Sequence, residues 1–219
     1  MASGATINSK SISRRRDAIR LLFILVAGKE PLSINDESGA NHIFKGETRL
    51  HALDFWVRYP DYLADELLDK YERNQDASLI QEVRRILTEE EPDLRRLPMM
   101  RWLRGAYDPV DTAISYLSAR KLVQPRKRQS DEKVREYEFL IFPKAIFLAE
   151  HIVKEFPLLS WYDHRSRLVV SLAAGRGGNA LKQQQHSRAE YHATLMGNPI
   201  PPIKDKVWAR FRKLTEVAA

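Results

Sequence analysis

Cysteine does not occur in the 219 residues. Disulfides, thiolate metal sites and a cysteine nucleophile are therefore excluded, and a cytosolic chain is a better expectation than a secreted disulfide scaffold. Long apolar runs are missing as well. The run Leu21–Ala27 falls far short of the ~20 residues that span a bilayer. It follows Arg14–Arg16 in the manner of a signal peptide, but Asp17 and Arg20 interrupt it. No small-residue cleavage site comes before Lys29 and Glu30, so a buried first helix and no membrane partner are expected. Glycine is sparse, with 9 residues. The densest stretch, Gly175-Arg176-Gly177-Gly178-Asn179, lacks both the preceding strand and the Gly-Lys-Ser/Thr ending of a phosphate-binding loop. No Gly-x-Ser-x-Gly is present, and Asp163-His164 joins a serine into a triad only on paper. The histidines are scattered, and His186 and His192 are spaced wrongly for a shared metal on one helical turn. The expectation is no catalytic residue, no metal site, no cofactor and no small-molecule substrate.

What the chain does have is ordinary for a globular protein: 43% hydrophobic and 30% charged residues,. Lys plus Arg number 36 against 29 Asp plus Glu, a formal balance of +7. An excess this modest and this dispersed permits a polyanion partner without demanding one.

Most of the chain reads as helix. Residues 1–12 are small and polar and are expected to form a disordered tail. Ala18, Leu21, Leu22, Leu25 and Val26 make one apolar stripe of a helix from Arg14, which Gly28 stops. Residues 29–46 read as a loop long enough to be functional or disordered. Glu47–Tyr59, Tyr62–Asn74 and Leu79–Glu89 follow as helices, and Asp93–Gly105 as a further helix or pair of turns. After Pro157 the spacing predicts helices over 160–174, 179–194 and 205–216.

The stretch from Tyr107 to Phe156 organises the rest. Asp108 suits an N-cap and Pro109 the first helical position. Val110, Ala113, Ile114 and Leu117 share one face. Leu122 and Val123 start a strand that Pro125 is expected to stop. A charged turn leads to a second strand, in which Tyr137, Phe139 and Ile141 alternate with Glu138, Leu140 and Phe142. Pro143 then opens an apolar helix.

This order resembles the second half of a winged helix-turn-helix domain. The resemblance implies a recognition helix over Asp108–Arg120 and a wing over Gln124–Arg135. The fold class expected is mainly α with a small β-hairpin: a winged-helix core with inserted helices over 13–156, and a helical C-terminal extension over 157–219. Cations of the wing and of the helix end, Arg120, Lys121, Arg126, Lys127, Arg128, Lys133 and Arg135, are the candidate DNA-binding residues. Flexible cations on a hairpin can neutralise phosphates, which gives affinity and register but no base reading. The competing reading is a solvated loop whose charge Asp131 and Glu132 dilute. The helix itself offers Asp111, Thr112, Ser115 and Ser118, without the Arg, Asn or Gln that bidentate base contacts need.

A second resemblance covers most of the chain. The arginine-led apolar helix, the segment Leu50-His51-Ala52-Leu53-Asp54-Phe55-Trp56-Val57-Arg58-Tyr59-Pro60-Asp61-Tyr62-Leu63, the winged unit and a polar tail near Asn198-Pro199-Ile200-Pro201 are similar to the middle component of bacterial ABC-three-component systems, the Lamassu anti-phage group among them. That resemblance implies a non-catalytic accessory subunit. Its partners would be an SMC-like ATPase, a separate effector such as a nuclease, and non-specific DNA. A stand-alone winged-helix transcriptional regulator is the alternative, and would be expected to form a symmetric dimer on palindromic half-sites.

Overall fold

The computed structural model describes residues 3–33, 36–89, 98–102, 105–107, 110–129 and 135–216. From the N terminus the chain forms helix α1 (Ser3–Ala27), strands β1 (Glu30–Pro31) and β2 (His42–Lys45), and helices α2 (Glu47–Arg58), α3 (Pro60–Asn74) and α4 (Ala77–Thr88). Strands β3 (Met100–Trp102) and β4 (Gly105–Tyr107), helix α5 (Asp111–Ser118), and strands β5 (Val123–Gln129) and β6 (Arg135–Ile141) follow. Helices α6 (Pro143–Glu155), α7 (Ser160–Ala173), α8 (Gly178–His186), α9 (Ala189–Ala193) and α10 (Lys204–Glu216) complete the order. The protein is mainly α, with a small antiparallel sheet. No helix among the described residues is long and apolar enough to cross a membrane.

The chain divides into two compact units, residues 1–53 with 108–181 and residues 54–107 with 182–219. This differs from the expected division at 156/157. The inserted helices and the end of the chain form one unit, whereas α7 belongs with the hairpin. The helix at the N terminus also begins at Ser3, inside the tail expected to be disordered.

In the first unit α1 is the hub. Every residue from Arg20 to Val26 is buried, not only the expected stripe, because α5, α6, α7 and β6 all pack on it. Phe23 stacks on Tyr162 of α7 with ring centroids 6.2 Å apart. The buried Arg20 is tied to Asp17 at 2.6 Å. The sheet runs β1-β2-β6-β5, every neighbour antiparallel. Residues 29–46, expected as a loop, thus supply two strands. Phe44 lies opposite Phe139 and Ile43 opposite Leu140. Gly28 lets the chain turn here, since a Cβ would lie 2.6 Å from the Phe44 ring. At the start of α8 Gly178 has the same role, with the backbone nitrogen of Arg49 2.6 Å from where its Cβ would be.

Strand β5 does not stop at Pro125. It is an edge strand, and the backbone bond from Phe142 N to Leu122 O sets the alternation. Three residues on, Pro125 turns its nitrogen away from β6, so no ladder bond is lost. β6 is buried on both faces over 138–141. The expected cap Asp108 and Pro109 lie outside the described residues, and α5 begins at Asp111.

The second unit is held by aromatics and an ion network. Phe55 packs on Tyr59, Tyr62 and Tyr191 with centroids 4.7, 5.0 and 5.8 Å away. The Tyr59 hydroxyl accepts from Met99 N at 3.0 Å, and the Tyr62 hydroxyl donates to Pro201 O at 3.1 Å. Asp61, one position inside α3, accepts from Ile203 N at 2.6 Å. Within the stretch 93–105, expected as helix or turns, lie β3 and the start of β4, which pair as a two-stranded sheet; the other edge of β3 bonds to the backbone at Gly197 and Asn198. The acidic face of α3 meets Arg188 and Arg210. Arg188 reaches Asp65 at 2.6 Å, Glu66 at 2.8 Å and Asp69 at 2.5 Å; Arg210 reaches Asp65 and Asp69 at 2.6 Å and Glu72 at 2.5 Å.

Candidate nucleic-acid interface

The candidate interface is built from the end of α5 and the β5–β6 hairpin, all within the first unit. Helix α5 ends in a Schellman motif. Leu122 N donates to Leu117 O at 3.1 Å and Lys121 N to Ser118 O at 2.9 Å, with Leu117 and Leu122 both buried beneath,. Lys121 takes the left-handed position of this motif, with φ +53°. Lysine is strained there, and glycine is the residue that fits without cost. The exposed Lys121 side chain is held outward by this turn. Its neighbour Arg120 lies over the Tyr116 ring, 3.4 Å from the centroid, and donates to Tyr116 O at 3.0 Å.

Lys121→Gly is therefore expected to remove one cation while raising stability by about 0.5–1 kcal/mol. Chemical denaturation checks this. A drop in stability would show that the lysine side chain makes a contact outweighing its backbone strain.

The hairpin does not present its cations uniformly. Arg126 is opposite Glu138 in the register and bonds to it at 3.2 Å. It also reaches Asp36, in the segment between β1 and β2, at 2.5 Å. Glu138 is buried, so Arg126 serves first as its counter-charge. Among the predicted site residues whose side chains are described, Arg126 is the one with ion pairs to buried or half-buried carboxylates. Lys127, on the neighbouring position, is exposed and lies 5.5 Å from the Tyr137 ring centroid. Arg128 pairs with Glu136 in the strand register and Arg135 with Gln129. Lys133 lies outside the described residues, as do Asp131 and Glu132. Arg120, Lys121 and Lys127 are thus the exposed cations of the set among residues whose side chains are described.

Two acidic residues were not anticipated at this site. Asp36 belonged to an expected loop with no assigned contact. Glu138 carried a signal that sequence reading passed over: a carboxylate flanked by Tyr137 and Phe139 in a strand must find a cation or stay neutral. A Ser38 hydroxyl bond, with the Arg126 guanidinium beside it, lowers the Asp36 carboxyl to about 2. A depressed carboxylate stabilises the fold fully above its unfolded value near 3.9, and that contribution is lost as pH falls through the folded value. The Asp36–Arg126 pair should therefore persist at pH 4 and open with a midpoint near pH 2. Carboxyl-carbon NMR of Asp36 reads this directly; a midpoint near 4 would show that the pair does not form in solution.

Between β1, β2 and the hairpin lies a cleft of about 530 Å³ lined by Ser33, Ile43, Lys45, Arg126, Lys127 and Glu138. Its cations are largely compensated, since Lys45 bonds Glu30 at 2.8 Å and Arg126 bonds Asp36 and Glu138. Among the described residues no group of three or more His, Asp or Glu is placed to hold a metal ion. No family model matches the chain, and no curated protein or solved structure matches it either.

Proposed function

We propose that α1, β2, α2, α5, β5 and β6 form a winged helix-turn-helix module, and that the chain acts by contact as a non-catalytic accessory subunit of an SMC-like ATPase complex of the anti-phage kind. In this reading it bridges ATPase and effector, and its exposed hairpin cations touch DNA without reading sequence. The observation that carries the module is the strand order β2-β6-β5. The sequence resemblance rested on the second half alone: helix, hairpin, helix. The pairing of β2 with β6 supports extending that reading to the first half: a strand between α1 and α2 that closes onto the hairpin.

The surface of α5 favours docking over base readout. Asp111, Thr112 and Ser115 are its exposed positions, and none of them is a residue that reads a base edge bidentately,. Arg120, Lys121 and Lys127 suit phosphate contacts, which supply affinity indifferent to sequence. Purification of the native complex at natural abundance tests the reading. Stoichiometric recovery with a much larger ATPase is expected. Recovery as a dimer on a palindromic operator, with no ATPase, would replace it with a regulator.

A further inference from the structure

A groove of about 230 Å³ opens on the first unit where α1, α5 and α6 meet, away from the hairpin cleft. Its floor is Ala18 and Leu22 of α1 with Leu117 and Leu122, all at most 2% exposed. Its walls are the half-buried Ile19, Leu148 and Ile152. The charged side chains that line it are both arginines, Arg15 and Arg120, and both are exposed.

We propose that this groove docks an amphipathic helix with acidic flanks from a partner protein. Three observations select that occupant. The volume lies below the roughly 300–1,000 Å³ of clefts that enclose small ligands, but it accepts the side chains a docked helix projects at i, i+3 and i+4. The rim is cationic. Beside Arg15 and Arg120 stand exposed Lys121 and Lys144, the latter donating to Arg120 O at 3.4 Å. Finally, α6 is apolar well beyond the face it buries: Phe147 is 69% exposed and stacks flat on His151, 6.0 Å between centroids. A helix apolar on this much of its circumference is one that expects cover.

The inference deepens the accessory-subunit reading and rests on it only for which protein supplies the helix. The groove is tested with the full chain and a labelled synthetic helix of about 18 residues, leucine at i, i+3, i+4 and i+7 and glutamate elsewhere. Fluorescence anisotropy is expected to show saturable binding. The double variant Arg15→Glu, Arg120→Glu should weaken it at least tenfold, since both side chains are exposed and their reversal spares the fold. Ile152→Trp, which fills the groove, should weaken it comparably; Lys127→Glu, on the hairpin, should not. Equal binding of a lysine-for-glutamate peptide, or indifference to the arginine reversals, would overturn the proposal. A photo-crosslinker at position 148 in the native complex gives an independent readout. Capture of an acidic amphipathic segment of another polypeptide supports it, and capture of a second copy of this chain or of lipid overturns it. Peptide binding without any co-purifying ATPase would keep the groove and remove the subunit reading, and the reverse pattern would do the opposite.

Discussion

Replacing Arg188 with alanine is expected to cost about 3–5 kcal/mol of folding stability, the range for stripping one partner from a buried ion network. Arg188 lies against Asp65, Glu66 and Asp69 within 2.8 Å, and the Asp65 and Glu66 side chains are 2% and 1% exposed. Arg210 and Gln184 also touch this acidic face, but Arg210 reaches Asp65, Asp69 and Glu72, not Glu66. The guanidinium of Arg188 is the charge that faces the most buried carboxylate. Urea denaturation measures the loss. Arg188→Lys should recover only part of it, because an ammonium cannot fork between two carboxylates. Adding Glu66→Gln to the alanine variant should recover more, since the uncompensated charge is gone.

The deficit should also depend on pH with a definite sign. Burial already pushes the Glu66 carboxyl above its ordinary value, against the pull of Arg188. Without Arg188 it rises further. A raised carboxylate leaves stability intact below its unfolded value, where both states are protonated, and removes it as pH rises through the folded value. The alanine variant should therefore approach the parent in stability near pH 4 and fall behind as pH rises toward 7. A deficit below 1 kcal/mol at neutral pH would mean that Arg210 and solvent satisfy the acidic face alone.

The network also shows what could be read from the sequence and what could not. Helix α6 follows directly from Pro143 and the apolar run after it, and β6 from its run of aromatic and apolar residues over 137–142. These are local patterns, in which neighbours along the chain carry the information. The failures at β2, Pro125 and the acidic face of α3 are long-range. Strand β2 is four residues whose pairing with β6 involves partners about a hundred positions later, so nothing within residues 42–45 marks them as strand. Pro125 reads as a stop because its tolerance depends on which edge of the sheet is open. The acidic face of α3, Asp65, Glu66, Asp69 and Glu72, looks like a solvated helix surface until cations from residues 188 and 210 cover it. That pairing joins the insertion to the chain end, where chain order alone suggested a break after 156. At the candidate interface the cations were legible as residue types. Their division into exposed and engaged was not, because Asp36 and Glu138 come from different strands and loops.

Arg126 makes that division measurable. As one of a set of wing cations, its removal would weaken DNA binding and lower the salt slope by about one, leaving the fold untouched. The geometry predicts a different result. Glu138 is 2% exposed at its side chain, and Arg126, 37% exposed, bridges it to Asp36. Arg126→Ala should therefore lower stability by about 2 kcal/mol, less than for a fully enclosed pair because water screens the outer part of the guanidinium. Arg126→Ala with Glu138→Gln should restore much of that loss, which a purely solvent-facing arginine would not allow. Binding to a random-sequence duplex, measured from 50 to 200 mM salt, separates the roles. Lys127→Ala and Lys121→Gly should each flatten the slope with stability kept or raised. The doubly substituted Arg126 variant, folded and stable, should keep the parent slope. A slope reduced as far as in the Lys127 variant would mean that Arg126 leaves its carboxylates to grip a phosphate. Asp36 and Glu138 would then be the groups that DNA displaces.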